Sequence, residues 1–224
     1  MKSFLALFLV AGAILALCAD RALSNPSQDA GSKLTVRDAI AKMKATWDSV
    51  HTYECTATVH EAKGDSVQDR TYLVRFERPT QTRVDIVAGD GRGSVAVWNG
   101  GDKVRGHQGG FLSIIRLNVG IHSKFATDLR GSTIAETNFG SLIAHLESLD
   151  PRVEHVTKSA GRIVLVVELG SPSRKSEVPK EVYILAPNWL PIEYYEFAEA
   201  KVVRHVVDSS LKLNIDIPAS TWQL

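Results

Sequence analysis

Cysteine is nearly absent. Cys18 and Cys55 are the only two in 224 residues, and Cys18 sits in an N-terminal apolar run. If that run is removed, Cys55 stands alone and no internal disulfide can form, which an oxidising compartment permits in a domain of this size. Net charge is also missing. The chain has 26 basic and 25 acidic residues; residues 1–24 hold Lys2, Asp20 and Arg21, so the rest is neutral. A neutral chain has no electrostatic footprint for nucleic acid or for an anionic lipid surface. No second long apolar run follows the first, so no later helix is expected to span a bilayer. Internal repeats and low-complexity segments are absent too.

Catalytic and metal motifs are equally scarce. The seven histidines, His51, His60, His107, His122, His145, His155 and His205, include no HxH and no i, i+4 pair. Cys55 has no Cys or His close in sequence, so no metal site is expected and the histidines read as surface residues. Cys55 falls on the apolar side of an alternating strand, where a thiol is ordinarily buried and inert. Gly131-Ser132 and Gly140-Ser141 lack the strand–turn–helix frame of a nucleophile elbow. Gly89-Asp90-Gly91-Arg92-Gly93-Ser94 leads into a strand, so it offers a turn and no helix N-terminus for phosphate. The expectation is a protein without catalysis and without a cofactor.

What is present begins with Met1-Lys2, an uncharged apolar run from Ser3 to Leu17, and Asp20-Arg21. That is the layout of a signal peptide over residues 1–24, and the run is shorter than the ~20 residues a bilayer span needs. Ala22-Leu23-Ser24 and Ala16-Leu17-Cys18 both offer small residues for cleavage. Leu15-Ala16-Leu17-Cys18 also approaches a lipidation site at Cys18, although the large Leu17 fits that motif poorly. The mature protein is expected in the periplasm or outside the cell. Residues 25–33 read as a flexible leader and 34–224 as one domain.

Val36, Ile40, Met43, Trp47 and Val50 mark one face of a helix, with Thr35 and Asp38 placed for a capping box. Alternating strands follow: Tyr53 to His60, Tyr72 to Glu77, Gln81 to Val87 and Ser94 to Trp98. Their turns are Lys63-Gly64-Asp65, Gly89 to Gly93 and Asn99-Gly100. Pro79 stops one strand. Phe111 to Leu117 is apolar and suits either strand or helix. From Thr133 the spacing of Ile134, Phe139, Leu142, Ile143, Leu146 and Leu149 predicts a second helix ending before Pro151. Strands return at Arg162 to Leu169, Lys180 to Ala186, Ile192 to Phe197, Lys201 to Val207 and Leu211 to Ile217. This is an α+β layout: a mostly antiparallel sheet covered by two amphipathic helices.

The order of these segments resembles the LolA/LolB-like superfamily, the periplasmic carriers that sort lipoproteins to the outer membrane. The resemblance is carried by Trp47-Asp48-Ser49-Val50-His51-Thr52-Tyr53, where helix runs into strand, and by Val74-Arg75-Phe76-Glu77-Arg78-Pro79. It continues in Val97-Trp98-Asn99-Gly100 and in Leu211-Lys212-Leu213-Asn214-Ile215-Asp216-Ile217-Pro218, with Trp222 beyond. It implies a curled, half-open barrel round an apolar cavity, with helices as a lid and acyl chains or lipid as cargo. It implies a membrane-bound donor or acceptor protein as partner, and no cofactor. Arg78 matches the residue that helps to hold the lid, and Trp47, Tyr53, Phe76, Trp98 and Phe139 are the expected cavity or lid residues. One departure is Thr82, where the family has a cavity aromatic. The alternative implied by the same resemblance is a periplasmic sensor that binds a regulator, again without catalysis.

Overall fold

The computed structural model describes residues 34–149, 151–159, 162–169 and 178–224. The expected signal sequence 1–24, with Cys18, and the leader 25–33 lie outside the described residues. Helix α1 is Val36–Asp48. Its start is fixed by the expected capping box: Asp38 N donates to Thr35 Oγ1 at 3.1 Å, and Thr35 N to Asp38 Oδ2 at 3.0 Å. Such a cap contributes about 1 kcal/mol by satisfying amides that have no partner within the helix. The helix buries Val36, Ala39, Met43 and Trp47 on one face.

The chain then turns at Ser49 and enters β1 (Thr52–Lys63). Strands β2 (Ser66–Glu77), β3 (Gln81–Gly89), β4 (Val95–Trp98), β5 (Lys103–His107) and β6 (Leu117–Gly120) follow as a meander. Helix α2 is Phe139–Ser148. After it come β7 (Pro151–Ser159), β8 (Arg162–Leu169), β9 (Lys180–Leu185), β10 (Pro191–Ala198) and β11 (Lys201–Leu213). All eleven form one antiparallel sheet in the order β6-β5-β4-β3-β2-β1-β11-β10-β9-β8-β7. The sheet is curled and open, with β6 and β7 at its edges. Its centre is the pairing of β1 with β11, where Tyr53 faces Leu213 and Glu61 faces Arg204.

Alternation explains where the core sits. β1 buries Tyr53, Cys55, Ala57 and Glu61 on one face, and β9 buries Glu181, Tyr183 and Leu185. These join Val74, Phe76, Leu165 and Val167 against the apolar faces of α1 and α2. The helices meet where Gly140 of α2 lies against Trp47. A Cβ on Gly140 would come within 2.5 Å of the Trp47 Nε1, so this crossing admits glycine alone without displacing the indole.

Four sequence expectations change. The second helix does not start at Thr133. A 3-10 turn, Ile134–Glu136, comes first, and Asn138 then caps α2 by accepting from Ser141 N at 2.9 Å. Thr133 pairs with Glu136 in a capping box of its own, so two start signals lie within one apolar period. The stretch after Gly109 is a 3-10 turn, Gly110–Ile114, leading to the short edge strand β6. Strand β7 occupies residues 151–159, between the expected end of the helix and the strand expected from Arg162, where no element was expected. Lys201 to Val207 and Leu211 to Ile217 are not two strands. β11 runs through Ser210, which takes a positive φ of 54° where the register against β1 slips, and ends at Leu213. A bulge inserts one residue and bends a strand without ending it.

Candidate functional site

The concave face of the sheet is only partly filled. Between it and residues 125–148 lies a cavity of about 700 Å³. Strands β1 to β6 and β9 to β11 supply its wall, and α2 with the segment before it supplies its cover. Val59, Val74, Ile86, Val104, Leu142 and Val206 make much of the surface apolar. A volume of this size falls in the range that holds a ligand of several hundred daltons.

The cover is tied down by a buried ionic knot. Arg204 of β11 donates from Nε to Glu61 Oε1 at 2.9 Å, and from Nη2 to Asp128 Oδ2 at 2.7 Å and Ser132 Oγ at 2.9 Å. Its Nη1 reaches Glu196 of β10 at 3.3 Å. Glu61 is 1% exposed and also accepts from Leu129 N at 3.2 Å. Arg130 donates to Ala62 O at 3.0 Å and pairs with Glu196 at 3.4 Å. Burial pushes the Glu61 carboxyl up, opposed by the Arg204 charge. Residues 128–132 therefore form a strap, held by three strands at one end of the cavity.

A second polar group joins α2 to β9. His145 Nε2 lies 3.0 Å from Oε1 of the buried Glu181, whose Oε2 accepts from the Tyr183 hydroxyl at 2.6 Å. The bond to Glu181 holds the His145 imidazole above its ordinary range, against the pull of burial. His145 is exposed at the surface, as expected from spacing, and its partner Glu181 is the buried member of the pair. A third polar group is Asp208 of β11, with the Cys55 Sγ 3.9 Å away. Burial lifts the Asp208 carboxyl to about 7 and pushes the Cys55 thiol far up. Such a thiol is a poor nucleophile at neutral pH. Among the described residues, no group of three His, Cys, Asp or Glu side chains could hold a metal ion.

Five of the six expected cavity or lid residues come together. Trp47, Tyr53, Phe76 and Phe139 form one aromatic cluster, with ring centroids 4.9 to 6.3 Å apart. Tyr53 and Phe139 line the cavity, and Trp47 and Phe76 pack behind them. Arg78 completes the group: its Nε donates to Val50 O at 2.6 Å and its Nη2 to Trp47 O at 2.7 Å. Its guanidinium also lies 4.6 Å over the Trp47 ring. Trp98 stands apart, in a small cluster with Val104, Ile121 and Ile134, where its Nε1 donates to Gly101 O at 3.0 Å. Thr82 is fully buried and lies outside the cavity lining.

No protein-family model matches this sequence, and no curated protein matches it. Solved structures with a similar fold include LolA superfamily proteins. One from Nitrosomonas europaea is 12% identical, with 85% of this chain and 98% of that one covered and a TM-score of 0.42. A putative outer membrane lipoprotein-sorting protein domain from Vibrio parahaemolyticus is 11% identical, with 83% and 95% covered and a TM-score of 0.44. A DUF1329 family protein from Desulfovibrio piger is 11% identical, over the same shares, with a TM-score of 0.45. At this identity the likeness is one of fold, and it says nothing of ligand.

Sequence reasoning missed the ionic knot, the His145–Glu181–Tyr183 group and Asp208. A signal did exist. Glu61, Arg204, Asp208 and Glu181 all fall on the buried parity of otherwise apolar strand faces. A charge at such a position needs either a partner or a cavity.

Proposed function

We propose that this protein is an exported binding protein that carries a hydrophobic chain, such as a lipid or the acyl chains of a lipoprotein, and is not an enzyme. The observation that carries this reading is the cavity of about 700 Å³ between the curled sheet and its strapped cover. A sealed core would pack such a volume. An acyl chain entering it gains about 0.8 kcal/mol per buried CH₂. Phe125, 60% exposed, lines the cavity, and the segment between the lining residues Gln108 and Leu117 exposes Phe111 (91%) and Ile114 (79%). Exposed apolar side chains of this kind suit transfer of cargo to or from a membrane-bound donor or acceptor.

The test uses purified protein and the neutral fluorescent probe N-phenyl-1-naphthylamine. Binding is expected, with displacement by long-chain amphiphiles and co-purified lipid visible in native mass spectrometry. Absence of both would overturn the carrier reading and leave a protein-binding module on the same fold.

A further inference from the structure

Among the charged side chains that line the cavity, Asp208 differs from the rest. Arg204 holds both Asp128 and Glu196. Glu136 accepts from Thr133 N at 2.9 Å, His145 holds Glu181, and Arg70 donates to Asp90 O at 2.9 Å. Among the described residues, the contact of Asp208 is the Cys55 thiol at 3.9 Å, a weak donor. Nothing basic draws its carboxyl back down from about 7. A half-buried carboxylate on an apolar wall, with a thiol as its donor, is poorly satisfied, and a ligand that donates to it would relieve that cost.

The position suits a ligand. Asp208 faces Ala57 across the β1–β11 pairing, and Val206, two residues before it on the same face, is opposite Tyr194 of β10. Tyr194 also lines the cavity and is close enough to feel the charge on Asp208. The apolar residues Tyr53, Ala57 and Val206 surround this point on the wall. A hydrocarbon chain along that wall would bring its polar end to Asp208.

We infer that Asp208 receives the polar head of the cavity's occupant, and that this head is a hydrogen-bond donor, an ammonium or hydroxyl group, and not a carboxylate. The inference rests on the carrier reading and names its ligand class. An ammonium would give the carboxylate a charge-assisted bond, and a hydroxyl a neutral one. A fatty carboxylate would set two anions together.

Competition against N-phenyl-1-naphthylamine tests it. Dodecylamine, 1-dodecanol and dodecanoate are compared at pH 8.5, where Asp208 is mostly ionised, below their micelle concentrations. The expected order is amine, alcohol, carboxylate, with the amine about tenfold or more tighter than the carboxylate. Asp208→Asn should abolish the preference while the neutral probe still binds. Asp208→Leu serves as a second variant, and the wild-type order decides alone should neither fold. Equal or tighter binding of dodecanoate, or a preference that survives in a folded variant, overturns the inference and leaves the carrier reading standing. Failure of the neutral probe to bind wild-type protein overturns both.

Discussion

Arg78 shows what one side chain can do at the join of two elements. Helix α1 has no basic residue in its last turn. Its terminal carbonyls lack partners within the helix, and the dipole leaves negative charge there. Arg78 fills both needs from outside, with donors to Trp47 O and Val50 O and its planar face on the Trp47 ring. Replacing Arg78 by Leu keeps much of the packing on Trp47 and removes both bonds. The expected cost is about 1–3 kcal/mol. Hydrogen exchange should quicken first in the last turn of α1, while β8 to β11 keep their protection. Uniform loss of protection would instead make Arg78 part of the global core. A latch role for Arg78 is a further proposal: it predicts faster release of the bound probe in the same variant.

The strap is an element with few apolar anchors, held by the ionic knot at Arg204. Removing one member leaves the others buried without their counter-charge, which costs about 3–5 kcal/mol. Arg204→Met should therefore be strongly destabilising, and Glu61→Gln, which keeps a bond to the guanidinium, much less so. Denaturant unfolding of the two variants checks this; equal effects would place the anchor elsewhere. None of the knot was legible as a pairing, because Glu61 and Arg204 lie 143 residues apart in sequence. The meander, both helix faces and the Thr35 cap were legible, because each is written in local period or spacing. Where the reading failed, two local signals competed: Thr133 and Asn138 both start a helical turn, and Ser210 interrupts an alternation that β11 carries through. The cavity itself had no local signature. Apolar residues on a strand read alike whether another residue or a ligand covers them.

For the molecule as a whole, the titrating groups of the cavity share a sign. Asp208 is lifted from 3.8 to about 7, and His145 is raised from 6.5. A group whose folded value is raised contributes its stability below the unfolded value and loses it as pH rises through the folded one. The ligand-free protein should accordingly lose stability from about pH 4 to about 7 through Asp208, and further above 6.5 through His145. Glu61, also raised, acts in the same direction. Thermal unfolding between pH 5 and 8.5 should show a fall in Tm, and Asp208→Asn should raise Tm at pH 8.5 by roughly 5 °C. A Tm that climbs with pH over this window would contradict the assignment. The central seam of the sheet carries a different consequence, for the birth of the chain. Each wing, β1 to β6 and β7 to β11, is a local meander, whereas the seam joins Tyr53 to Leu213. At synthesis rates of about 5–20 residues per second, β1 waits on the order of 10–30 s for its second partner to be made. Throughout that interval one side of a long strand, with Tyr53, Cys55 and Ala57 beside it, stays open to any other chain or chaperone that can add a strand.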